Sequence, residues 1–128
     1  MTDSMEDIRV LLVEDNPRLR ATLRELLRWE GYRVDEAAHG AEALEVAAAA
    51  VPDVIVTDLE MPVMDGAALI ERCRELPRLE RVPIIVMSAA ERESSLDCLA
   101  ETSVSAYLTK PFGLPELTTA IEHRTNRC

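Results

Sequence analysis

Five short runs dominated by β-branched and aliphatic residues recur along the chain and constrain its fold more than any other feature. They lie at 8–13 (IRVLLV), 32–37 (YRVDEA), 53–57 (DVIVT), 83–87 (PIIVM) and 106–109 (AYLT). Helix-period segments separate them, so a strand-helix unit repeats five times, which argues for a parallel sheet covered on both faces. Runs one, three and four are the most apolar and suit central strands. Run two, with Arg33, Asp35 and Glu36, suits an edge.

The first helix is the clearest. Asn16 can cap it with Pro17 at its first position, Leu19, Leu23, Leu26 and Leu27 form one stripe, and Gly31 suits its C-terminal end. A second helix is expected over 41–50. A third follows a cap at Asp65, with Leu69, Ile70, Cys73 and Leu76 inward and Pro77 ending it. A weaker segment spans about 91–101 through Leu96, Leu99 and Ala100, and a last one about 114–124 through Leu117, Ala120 and Ile121.

At 128 residues the chain suits one domain over 1–128, and 48% apolar with 30% charged residues favours an ordered globular protein. A formal charge of -10 opposes direct nucleic-acid binding, since the arginines are interleaved with glutamates, as in Arg24-Glu25 and Glu71-Arg72-Cys73-Arg74-Glu75, like solvated helix faces. Cys73, Cys98 and Cys128 lack metal-ligand spacing and read as free thiols in a reducing compartment. The acidic N-terminus is unlike a signal peptide and no run reaches membrane-spanning length, so a cytoplasmic chain without membrane contact is expected.

In open sheets of this kind ligands collect outside the carboxyl ends of the strands, where the strand order reverses. Strand 1 ends in Glu14-Asp15, strand 3 in Asp58, strand 4 in Ser88 and strand 5 in Lys110 followed by Pro111. If strands 1 and 3 are neighbours, three carboxylates, a hydroxyl and an ammonium converge. Two carboxylates about 4 Å apart repel by roughly 4 kcal/mol at an effective dielectric near 20, so the cluster must raise its pKa values or take in a cation. All the ligands are hard oxygens, which points to Mg²⁺ or Mn²⁺ with part of its water retained. With that charge neutralised, one carboxylate can act as a nucleophile and form an aspartyl-phosphate; Asp58, ending the central strand, is the best placed.

From LLVEDNP through VTDLEMPVMDG and IIVMSA to YLTKPF, essentially the whole chain resembles a response-regulator receiver domain of two-component signalling. The resemblance is specific because four motifs occur in order at the right strand ends. It implies a doubly wound, flavodoxin-like sheet in the order 2-1-3-4-5 with helices on both faces. It implies that Asp58 accepts a phosphoryl group from a histidine kinase or phosphotransfer protein, with Glu14, Asp15, Asp58 and the backbone carbonyl of Glu60 around Mg²⁺. Lys110 would contact the phosphoryl oxygens, with the Lys110-Pro111 bond cis. Ser88 would move in to bond a phosphoryl oxygen and Tyr107 would swing inward behind it. The rearranged face, made by the segments 91–101, 106–109 and 114–124, would then bind a downstream protein or a second copy. Such a chain is a phosphoacceptor that assists its own phosphorylation and dephosphorylation, not a turnover enzyme.

Some positions depart from the family pattern. Ser103-Val104 stands where Gly-Ala is common, so a frayed or shifted helix end is expected there. Gly113 replaces the usual Asp or Ser cap, and Ser88 replaces threonine but keeps the hydroxyl. Glu60 and Ala90 occupy positions where the family varies the lifetime of its phosphate. Taken singly, the residues have plainer readings: Asp15 and Asp65 as helix caps, Asp53 as a strand-start residue, Lys110 as a surface lysine, Tyr107 as a half-buried aromatic, Trp29 as packing, and His39 and His123 as solvent-facing. Only their joint placement lifts Glu14, Asp15, Asp58, Ser88 and Lys110 above these.

Two rival functions are a constitutive receiver-like adaptor and a phosphatase of the haloacid dehalogenase type, suggested by Asp58-Leu59-Glu60. The latter family puts its nucleophile after the first strand and uses Asp as the second acid, neither of which is present. A flavin site fails on the acids after strand 1. A stand-alone receiver and a piece of a longer regulator both fit the sequence.

Overall fold

The apolar runs lie side by side as parallel strands. The computed structural model describes residues 8–59, 64, 66–88, 106–110 and 112–125. Within them the elements are β1 (Arg9–Val13), α1 (Pro17–Trp29), β2 (Arg33–Ala37), α2 (Gly40–Ala49), β3 (Val54–Asp58), α3 (Gly66–Glu75), β4 (Ile84–Ser88), β5 (Ala106–Thr109) and a C-terminal helix, α4 (Leu114–Thr125). The sheet order is β2-β1-β3-β4-β5, the doubly wound order that the resemblance implied. Every residue of β3 and β4 is buried, while the charged run became the edge strand β2.

Strand alternation sends successive side chains to opposite faces, and two cores result. Leu11, Val13, Ile55, Ile84 and Val86 pack with Ala43 and Ala47 of α2 and Leu69, Ile70 and Cys73 of α3. Val10, Leu12, Val56, Ile85 and Met87 pack on the other side with Leu23 and Leu27 of α1 and Leu117 and Ile121 of α4.

Local chemistry fixes the helix ends. The Asn16 Oδ1 accepts the amides of Arg18 and Leu19 at 2.9 and 3.2 Å, Pro17 occupies the first turn, and Gly31 takes the left-handed conformation, φ 103°, that turns the chain into β2. The His39 Nδ1 accepts the Glu42 amide at 3.2 Å while Glu42 accepts the Ala38 amide at 2.7 Å. His39 is therefore a half-buried cap of α2 and not the solvent-facing residue expected.

The buried stripes are narrower than their periodicity suggested. Leu26 lies at the exposed margin of α1, and Leu76, expected inside α3, follows that helix's last residue and is partly exposed. Trp29 is 86% exposed, so it does not pack. Arg74 is no solvated residue of an Arg-Glu face: its Nη1 donates to the carbonyls of Leu79, Glu80 and Val82 at 3.3, 2.8 and 2.9 Å, clamping the turn before β4. The expected segment 91–101, the Asp65 cap, the Ser103-Val104 departure, Ala90 and the Lys110-Pro111 bond lie outside the described residues.

Candidate functional site

Strand register determines what meets at the carboxyl rim. Val13 pairs with Thr57, Asp58 with Met87 and Ser88 with Thr109, so the residues that end β1, β3, β4 and β5 stand almost level. Glu14 extends β1 by one residue through its amide, which donates to the Ala37 carbonyl at 3.0 Å, and its side chain is only 1% exposed. Asp58 and Ser88 are also buried, Asp15 is exposed, and Tyr107 is half-buried against the core on the α3 side.

The structure brings the predicted acids and lysine together. Carboxylate oxygens of Glu14, Asp15 and Asp58 lie within 4.8 Å of one another. The Lys110 Nζ stands 3.2 Å from Glu14 Oε1 and 3.2 Å from Asp58 Oδ2, so one ammonium bridges two acids from different strands. The amide of Lys110 donates to the Ser88 carbonyl at 2.9 Å, which sets the lysine beside the end of β4. Glu60, the remaining predicted ligand, lies outside the described residues.

Burial pushes the Glu14 carboxyl above its ordinary value and the Asp58 charge adds to this; the Asn16 amide, 3.1 Å from Oε2, and Lys110 pull the other way without winning. For Lys110 burial alone would lower the pKa, but Asp58 and Glu14 outweigh it and the net shift is upward. The two partners differ because the carboxylate has lost nearly all its water and the ammonium has not. One ammonium thus serves two of three converging acids. Three hard oxygen donors with no imidazole or thiolate among them fit a small divalent cation such as Mg²⁺ or Mn²⁺.

Several supporting residues were not legible beforehand. The Thr57 hydroxyl donates to the Asp58 carbonyl at 2.9 Å inside the core. Gly66, the first residue of α3, is pressed against the same main chain: a Cβ there would lie 2.5 Å from the Asp58 carbonyl oxygen and 2.8 Å from the Leu59 Cα. Its amide donates to the Leu59 carbonyl at 2.8 Å, so the start of α3 is seated on the segment that follows the acid. The glycine that closes VTDLEMPVMDG was a signal for this close approach.

Comparison with known proteins decides the family. The family model for the response regulator receiver domain matches residues 10–122. This chain belongs to that family. Among its relatives, the sensor histidine kinase TmoS of Ectopseudomonas mendocina is 45% identical over 109 residues, covering 85% of this chain and 11% of the kinase. The transcriptional regulatory protein PdtaR of Mycobacterium tuberculosis is 38% identical over 120 residues, covering 93% of this chain and 57% of the regulator. The receiver thus spans about a tenth of the first and just over half of the second. Among solved structures, the receiver domain of the sensor histidine kinase PA1611 from Pseudomonas aeruginosa PAO1 shares 32% identity at a TM-score of 0.84, over 94% of this chain and 98% of that one. That domain has a magnesium ion coordinated in its active-site cleft. The chain is accordingly a receiver domain of two-component signalling. No helix among its described residues is long and apolar enough to cross a membrane.

Proposed function

We propose that residues 1–128 form a single, cytoplasmic receiver that works as a phosphoacceptor switch, with Asp58 as the acceptor. The observation that carries this reading is the shared ammonium: Lys110 lies 3.2 Å from Asp58 and 3.2 Å from Glu14, with Asp15 alongside. A divalent cation held by Glu14, Asp15, Asp58 and the Glu60 carbonyl would supply charge neutralisation for an incoming phosphoryl group. Lys110 would bind that group's oxygens once they displace its carboxylate partners. A carboxylate oxygen of Asp58 then forms the bond to phosphorus as the bond to the donor's imidazole nitrogen breaks, and the imidazole departs with the electron pair and takes a proton. Attack by water on phosphorus later releases phosphate and restores the carboxylate.

Ser88, next to Lys110 at the end of β4, supplies a hydroxyl for a phosphoryl oxygen, and Tyr107 on β5 responds to its movement. Val86, two residues before Ser88, pairs with Tyr107, which supports this link. Downstream, a groove between β5 and α4, lined by Tyr107, Leu108, Pro115, Thr119, Ala120 and His123, supports docking of a partner protein or a second copy on that face. The phosphodonor is a histidine kinase or a phosphotransfer protein. The charge of -10 opposes nucleic acid as a direct partner.

The test is mass measurement after incubation with acetyl phosphate and Mg²⁺. The wild-type chain should gain about 80 Da, one phosphoryl group, labile to hydroxylamine, and Asp58→Asn should gain nothing. Phosphate on the variant would move the acceptor to another residue, and turnover of small phosphate esters would favour the phosphatase reading.

A further inference from the structure

Arg20 belongs to no set of phosphoacceptor residues above, yet it holds the main chain of the acid site. Its Nη1 donates to the Glu14 carbonyl at 2.7 Å, and its Nε lies 3.3 Å from Oε1 of Glu36 near the end of β2. Arg24, one turn along α1, takes the other oxygen of Glu36 at 2.9 Å. Glu14 is fixed everywhere else as well: its amide donates to Ala37, and its two carboxylate oxygens accept from Asn16 and Lys110. The Glu14 carbonyl is the one polar group of this residue that depends on a long side chain from α1. Asp15, exposed and with no such brace among the described residues, is presented by the same turn.

We propose that Arg20 is a positioning residue for the cation site: it fixes the Glu14-Asp15 turn through the Glu14 carbonyl, and Glu36 steers its guanidinium. The inference rests on the phosphoacceptor reading given above. A guanidinium suits the task because its planar fork serves two acceptors at a fixed angle, which a lysine ammonium on a flexible stem does not. Its charge alone would have the opposite effect, since a cation behind the site repels a dication; Glu36 offsets part of that. Geometry and charge therefore predict opposite signs when the residue is removed. Positioning by groups outside the ligand set is worth about ten-fold or more in metal affinity in other sites.

The experiment is calorimetric titration of Mg²⁺ into the full chain at fixed ionic strength, with the melting temperature of each metal-free variant recorded. Arg20→Met should bind Mg²⁺ about ten-fold more weakly although it loses a repelling charge. Arg20→Lys, which keeps the charge and loses the fork, should fall between it and wild type. Glu36→Gln, which leaves the carbonyl bond in place, should lose less than either. Equal or tighter binding by Arg20→Met, with or without a lower melting temperature, overturns the inference. If Arg20→Met does not fold, Arg20→Lys decides, because wild-type affinity in that variant also overturns it. A wild-type chain that binds no Mg²⁺ removes the phosphoacceptor reading and this inference together, whereas wild-type binding with indifferent variants removes only the inference.

Discussion

Both rims of the sheet carry charged residues, and the two rims hold them in different ways. Toward the amino rim Asp53 accepts the Arg9 amide at 2.7 Å, Asp35 accepts the Arg9 guanidinium at 2.9 Å, and Arg74 serves the three carbonyls before β4. Those two acids are held by different groups of Arg9, its amide and its guanidinium. At the carboxyl rim Glu14 and Asp58 share one ammonium with Asp15 alongside, and two of the three acids are buried. Like charges withdrawn from water cost stability unless fully compensated. The amino rim uses charge to tie strands and turns, whereas the carboxyl rim gathers three acids around one ammonium, the arrangement that the proposed cation and phosphoryl group would use.

The sharpest way to break this contrast is to ask which rim responds to Mg²⁺. At about 100 times its dissociation constant a ligand specific for the folded state stabilises it by about 2.7 kcal/mol. Melting curves with and without Mg²⁺ should show such a shift for the wild type, and Asp58→Asn and Glu14→Gln should lose most of it. Asp53→Asn should lower the baseline stability yet keep the whole shift. Equal loss in the Asp53 and Asp58 variants would mean the rims are not distinct.

The converse test falls on Arg74. Arg74→Met removes the donor from three carbonyls in a partly buried turn, and leaving such groups unpaired costs about 1–3 kcal/mol. Urea unfolding should register that loss. The Mg²⁺ shift and labelling by acetyl phosphate should be unchanged, because the clamp lies at the other end of β4 from Ser88.

Arg74 also shows where sequence reading stops. The strands were legible because burial on both faces demands apolar runs, the start of α1 because Asn16-Pro17 is a local signal, and the acids because each stands at or just past the end of a strand. None of these needs knowledge of a distant partner. Arg20 and Arg74 do: each reads as an ordinary charged residue on a helix, and only the path of a neighbouring turn decides that its guanidinium meets a carbonyl. His39 escaped notice because an imidazole is not among the usual capping side chains, although its Nδ1 accepts the Glu42 amide. Leu26 and Leu76 sat at the margin of periodic stripes, where periodicity no longer separates inside from outside.

A subtler difference between the rims concerns alkali. Burial pushes the Tyr32 phenol, near the amino rim, up to about 12, with Glu122 and Glu30 adding to it, and burial pushes the Cys73 thiol up to about 11 against the pull of Arg74. Both folded-state values lie above the ordinary ones of 10.0 and 9.0, so the stability these groups contribute is complete below those values. It is lost as pH rises through about 11 and about 12. The urea midpoint should therefore be flat from neutrality to about pH 9 and fall above it, and Tyr32→Phe should remove part of the fall. A fall of equal size in Tyr32→Phe would assign it to other groups.

The smallest effect tests whether the carboxyl rim feels the helix that follows Lys110. The Gly113 carbonyl accepts the amides of Glu116 and Leu117 at 3.1 and 3.3 Å, and Glu116 Oε1 accepts the Gly113 amide at 2.6 Å. This is one half of a capping box; the missing half is a side-chain oxygen at 113 for the Glu116 amide. The backbone of Gly113 is not left-handed, and a Cβ would find its nearest neighbour, the Pro115 Cδ, at 3.4 Å. Gly113→Ser should therefore fit and raise the urea midpoint by the equivalent of a few tenths of a kcal/mol. If the Mg²⁺ shift stays constant, α4 and the acid cluster are independent, as expected from the separate tie of Lys110 to Ser88. A changed Mg²⁺ shift would instead show that the start of α4 sets the reach of the lysine, and the rim would have to be described as extending into that helix.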